Sequence, residues 1–98
     1  MKKFSIRVEL HSATSSDYVA LAEHLRQRGI VDLITDENGV TYKLPPAEYN
    51  YVGDATLEQV FASVESAAKL TLRNYEIVAS EAVRRRWIGL PLAQRAAA

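Results

Sequence analysis

Hydrophobic and polar positions alternate from the start of the chain: Phe4, Ile6, Val8 and Leu10 fall on one side, Ser5, Arg7, Glu9 and His11 on the other. A period of two in β-forming residues predicts a strand with one buried face. After a polar connection over 12–16 the spacing changes. Tyr18, Leu21, Ala22 and Leu25 recur at i, i+3, i+4 and i+7, which predicts a helix over 17–28. Ser15 or Ser16 is placed to cap it, Asp17 suits the positive end of its dipole, and Gly29 stands where a left-handed C-terminal cap is wanted.

Strands are predicted over 31–35 and 40–44, joined through Asp36-Glu37-Asn38-Gly39, because Asn-Gly favours a tight turn. Pro45-Pro46 end the hairpin, and 45–53 reads as a loop carrying Tyr49 and Tyr51. Thr56-Leu57-Glu58-Gln59 fits a capping box. The stripe Leu57, Val60, Phe61, Val64, Ala67 and Ala68 predicts a helix running to about Arg73, with Asn74 as its cap. Strands follow over 75–80 and 83–89, and the alanine-rich tail is expected to fray.

The order is β, α, β-hairpin, α, β, β. Two amphipathic helices are buried most economically on one face of a four-stranded antiparallel sheet. The predicted class is therefore α+β, a ferredoxin-like βαββαβ domain over 1–92 with an extra C-terminal strand and a tail over 93–98. That plan leaves the Arg7–Glu9–His11 side of the sheet bare.

Composition narrows the chemistry. Twelve Lys+Arg balance twelve Asp+Glu among 98 residues, so no global positive field draws in a polyanion, and an RNA role needs a local patch. Zero cysteines exclude disulfides, thiolate metal sites and cysteine nucleophiles. Two histidines, His11 and His24, are not spaced as a ligand pair, so no metal and no cofactor are expected. His24 lies off the apolar stripe and reads as a surface residue. No stretch approaches the roughly 20 apolar residues of a membrane helix. A soluble, cytoplasmic domain without membrane partners is expected.

Arg7, Glu9 and His11 form one row, with neighbours about 7 Å apart. A histidine or carboxylate can take a 2′-hydroxyl proton and an arginine can stabilise a charged phosphorane, which is the equipment of RNA cleavage. The plainer alternative is a solvated or partner-covered sheet face. Lys43 joins that surface if the hairpin register allows. Arg84, Arg85 and Arg86 beside Trp87 suit phosphate contacts and base stacking, or the protection of an edge strand by charge. Tyr49 and Tyr51 read as lids over the core edge or as contact residues. The paired aromatics of an RNA-recognition sheet are missing from strand one, and no phosphate-binding loop or nucleophile elbow is present.

The runs Phe4-Ser5-Ile6-Arg7-Val8-Glu9-Leu10-His11, Asp17-Tyr18, Thr35-Asp36-Glu37-Asn38-Gly39-Val40-Thr41-Tyr42-Lys43-Leu44-Pro45, Ala47-Glu48-Tyr49-Asn50 and Trp87-Ile88-Gly89-Leu90 resemble the GhoS antitoxin group of small bacterial proteins. The resemblance implies a ferredoxin-like fold shared with CRISPR-associated nucleases. It further implies an endoribonuclease antitoxin of a type V toxin–antitoxin pair, cutting the messenger RNA of a membrane-damaging toxin. On that expectation Arg7, Glu9 and His11 are catalytic, Lys43, Arg84, Arg85 and Arg86 bind RNA, and the protein is a homodimer without a DNA partner. The alternative is a non-catalytic dimer of the same fold that binds RNA or protein, and a small-molecule-binding regulatory domain is the third possibility.

Overall fold

The periodicities resolve into seven elements in a computed structural model that describes residues 1–93. They are β1 (Lys2–Leu10), α1 (Ser15–Arg26), β2 (Leu33–Thr35), β3 (Thr41–Lys43), β4 (Glu48–Gly53), α2 (Leu57–Lys69) and β5 (Tyr75–Ala82). β1 lies at the centre of a three-stranded antiparallel sheet ordered β4-β1-β5, and β2 pairs with β3 in a separate two-stranded ribbon. The chain is α+β, with two helices and antiparallel sheets.

The alternation in β1 sets the layers. Phe4, Ile6, Val8 and Leu10 are 0%, 3%, 0% and 7% exposed, and they share one core with Leu21 and Leu25 of α1 and Val60, Val64, Ala67 and Ala68 of α2. Fully burying a side chain of this size contributes about 1.5–3 kcal/mol. Cross-strand partners continue the same face, since Ile6 stands opposite Tyr49 on β4 and Ala79 on β5. Arg7 is exposed on the other face, opposite Glu48 and Val78. The helices lie on one side of the sheet, as the sequence predicts, but the other side is not wholly bare, because Arg85 covers its Ser5–Asn50 part.

Local signals act largely as read. Gly29 takes φ +76°, and the Ile30 amide folds back to the Leu25 carbonyl at 3.0 Å, burying Ile30 behind the helix end. The N-cap of α1, however, is Thr14 rather than a serine, in a reciprocal capping box with Asp17. Backbone and side-chain hydrogen bonds from Thr14 and the guanidinium of Arg73 hold the Asp17 carboxyl below its usual range, against a smaller opposing effect of burial. In α2 the box on Thr56 and Gln59 forms as expected, but the helix stops at Lys69, and Leu72 at φ +63° has already left helical geometry. Phe61, placed by its spacing in the apolar stripe, is 40% exposed at the border of that stripe. In the hairpin turn only Gly39 adopts positive φ, at +80°.

Three expectations are corrected. Tyr49 and Tyr51 are not loop lids; they belong to β4 on the core side, with Tyr49 buried and Tyr51 packed 5.9 Å from the Phe4 ring. The hairpin does not complete a four-stranded sheet. A single bridge joins Val31 to Asn50, and beyond it the Asn50 side-chain amide takes the Leu33 carbonyl at 3.0 Å, substituting for a strand partner. Finally, 83–89 is not a strand. Arg85 turns onto the sheet, Gly89 takes φ +80°, and Pro91 follows. The chain instead straps across the open face to β3, where Lys43 donates to the Pro91 carbonyl and Ala93 to that of Thr41. Ala93, expected to fray, is therefore tied to β3; the rest of the expected tail, 94–98, lies outside the described residues.

Candidate nucleic-acid interface

β1 and β5 together build the row on the open face. The Arg7 guanidinium meets Glu9 at 2.7 Å and Glu48 at 3.6 Å. The register sets Glu9 directly opposite Glu76, an unfavourable like-charge pair. The two carboxylates accordingly take different partners. Glu76 pairs with His11 Nε2 at 3.1 Å, whereas Glu9 is held by Arg7 and accepts from the Tyr18 hydroxyl at 3.4 Å. Tyr18 reaches Glu9 because β4 pairs β1 only as far as Arg7, and its hydroxyl also accepts the Leu10 amide at 2.8 Å. The result is two separate ion pairs, Arg7–Glu9 on β1 and His11–Glu76 between the turn after β1 and β5. These ion pairs are about half exposed, so each contributes less than about 1 kcal/mol to stability.

A cleft of about 450 Å³ opens beside Arg7 and Glu9, and Lys43, Asp32, Tyr18 and Tyr49 also line it. The hairpin therefore does bring Lys43 next to Arg7. There Lys43 pairs with Asp32 at 2.9 Å, so much of its charge is already matched. Burial, with smaller contributions from Asp32 and Tyr18, pushes the Tyr49 hydroxyl up to about 12, so it stays protonated at the cleft wall. His11 does not line this cleft. Its contact is with Glu76, at the far end of the row.

The three consecutive arginines separate. Arg85 Nη1 donates to Asn50 Oδ1 at 2.8 Å and to the Phe4 carbonyl and Ser5 Oγ at 3.3 Å each. Its Nε is buried with no hydrogen-bond partner, and desolvation lowers its pKa. Arg84 and Arg86 are exposed and make no ion pair among the described residues. Trp87 packs edge-on to Tyr42 with ring centroids 6.1 Å apart. A second cleft, of about 720 Å³, lies here between the strap and the hairpin turn, with Lys3, Arg85, Arg86, Tyr42 and Trp87 on its walls.

The sequence reading leaves out Glu76, Glu48, Asp32, Tyr18 and Lys3. Glu76 and Glu48 become visible only through strand register. Lys3 was legible, since it continues the outward alternation of β1. Among the described residues no group of three His, Asp or Glu side chains converges in a metal-holding arrangement. No helix is long and apolar enough to cross a membrane. No protein-family model matches the chain, and no curated protein matches it.

Proposed function

We propose that the chain is a ferredoxin-like endoribonuclease of the GhoS antitoxin type, which cuts single-stranded messenger RNA on its open sheet face. Support for the fold comes from the element order, the central position of β1 and the Val31–Asn50 bridge, which begins a fourth strand beside β4. The observation that carries the activity is the polar row, in which His11, in the turn that follows β1, is paired to the Glu76 carboxylate of β5 and Arg7 stands on the open face of β1. Glu76 orients the His11 imidazole, leaving Nδ1 to take the 2′-hydroxyl proton. The 2′-oxygen attacks the adjacent phosphorus and the bond to the 5′-oxygen breaks. Water returns a proton to the leaving oxygen, giving a 2′,3′-cyclic phosphate and a 5′-hydroxyl. Arg7 balances the charge that builds on the phosphoryl oxygens. Glu9 holds Arg7 in place or serves as the alternative base. The antitoxin assignment carries with it a cytoplasmic location and a homodimer.

The test is incubation of the full chain with AU-rich single-stranded RNA, with and without magnesium. Cleavage with cyclic-phosphate ends is expected. His11→Ala and Arg7→Ala should each lower the rate by roughly 10²–10⁴-fold. RNA left intact at high protein concentration, or cleavage surviving the double substitution, contradicts the assignment.

A second reading, a non-catalytic dimer that binds RNA or protein, is favoured by Arg7 lying between two carboxylates and by the outer edge of β5, which pairs with no strand among the described residues. Salt separates its two forms, because binding through phosphates weakens steeply as salt is added and a protein contact does not.

A further inference from the structure

The larger cleft stands apart from the Arg7–Glu9–His11 row and has a chemistry of its own. Its floor is Arg85, a guanidinium with no carboxylate partner among the described residues. Three neutral acceptors share its Nη1, Nη2 makes no hydrogen bond among the described residues, and Nε is buried without one. A partly buried cation matched only by dipoles keeps an unmet attraction for an anion. Lys3 and Arg86 stand on the same walls, also without ion pairs among the described residues.

Two carboxylates border the cleft. Asp36 is engaged by the turn, since Oδ1 accepts the Asn38 and Val40 amides and Oδ2 the Tyr42 hydroxyl. Glu37 sits exposed in the turn. The cations therefore outnumber the acidic groups, and one of those is already hydrogen-bonded. The second component is aromatic: Trp87 and Tyr42 meet edge to face at 65° in the same cleft, forming an aromatic corner beside the charges.

A smaller cavity lies between this cleft and the proposed cutting row and shares a wall residue with each. Arg85 lines a smaller cavity together with Ser5 and Arg7, and Arg7 lines the cleft of Glu9 and Lys43. Lys3, Ser5, Arg7 and Glu9 thus mark a track along the outer side of β1.

We propose that this cleft seats one nucleotide of an RNA strand whose neighbouring stretch runs along β1, with its base in the corner of Trp87 and Tyr42, stacked on one ring and met by the other, and its phosphate on Arg86, Lys3 and Arg85. Assigning the ligand to a strand rests on the RNA reading above; the chemistry of anion and ring does not. Base–aromatic stacking and phosphate contacts are the usual components of single-strand binding. If Arg85 were only a strut fastening the strap to the sheet, Lys3 and Arg86 would have no part in binding.

Trp87 is the only tryptophan, so its fluorescence reports directly on the site. The His11→Ala protein, which keeps RNA intact and leaves the cleft unaltered, is titrated with hexa-adenylate RNA and separately with adenosine 5′-monophosphate. Saturable quenching is expected with the RNA, with the mononucleotide at least about tenfold weaker because it makes fewer phosphate contacts. Arg86→Ala and Lys3→Ala should each weaken RNA binding by about three- to tenfold, with an unchanged far-ultraviolet dichroism spectrum. No saturable change, equal affinity for RNA and mononucleotide, or unaltered binding in the Lys3→Ala/Arg86→Ala double variant overturns the proposal. Cleavage by the wild-type chain is read separately. RNA cut without any response from Trp87 defeats this inference alone, whereas quenching by RNA that is never cut defeats the cleavage reading alone.

Discussion

Tyr49 shows how one side chain can serve both core and cleft. Its ring is buried, while its hydroxyl, which makes no hydrogen bond among the described residues, borders the cleft of Arg7 and Lys43. Because its folded-state pKa of about 12 lies above the ordinary value of 10.0, the folded chain holds this proton more tightly than the unfolded chain. The associated stability is complete below the unfolded value and is lost as pH rises from there through the folded one, by less than about 3 kcal/mol because the hydroxyl is partly solvated. Denaturant titrations at several alkaline pH values should show this decline, and Tyr49→Phe should flatten it while changing stability at neutral pH by less than about 1 kcal/mol. An unchanged alkaline decline in the phenylalanine variant would assign it to other groups. Arg85 makes the opposite case. Replacing it with alanine removes three donated bonds and leaves the side-chain Oδ1 of buried Asn50 without this donor, a loss of about 1–3 kcal/mol measurable by thermal or denaturant unfolding.

At the scale of elements, both helices begin with a threonine capping box, and each threonine satisfies an amide the helix leaves free. Thr14→Ala and Thr56→Ala should each destabilise by about 1 kcal/mol, with serine restoring most of it. A loss near zero in either would mean that the helix is held by packing alone. These elements were largely legible because their signals are local: alternation in β1, the i, i+3, i+4 stripes, the glycine cap at Gly29. What escaped notice depends on partners distant in sequence. Tyr49 and Tyr51 follow two prolines and resemble a loop until β1 is set beside them. The 83–89 stretch carries enough β-forming residues to read as a strand, yet it gives up regular pairing when Arg85 reaches Phe4, Ser5 and Asn50. The strap in turn ties β3, so the Lys43 and Ala93 amides should exchange hydrogen together, and faster in Arg85→Ala than in the wild type. Independent exchange of the two would show that the strap does not hold the hairpin.

The whole molecule combines a zero net charge with a sheet face on which charges are sorted. Paired cations and carboxylates occupy the Arg7–His11 end, and cations that form no ion pair among the described residues occupy the Lys3–Trp87 end with aromatic rings. The composition hides this division, because the balance of twelve against twelve averages over both ends. Alternation places Arg7 and Glu9 on one face of β1, whereas His11 lies in the turn beyond that strand; the carboxylates that accompany them required the register of β5 and β4. The account depends on RNA meeting the chain on the side of the sheet away from the helices. Amide-resolved nuclear magnetic resonance of the His11→Ala chain, titrated with short single-stranded RNA, tests this most directly. Shifts gathered in β1, β5 and 85–87, including the Trp87 indole, with α2 silent, are the predicted result. Shifts confined to the outer surfaces of α1 and α2, or none at all, would contradict it.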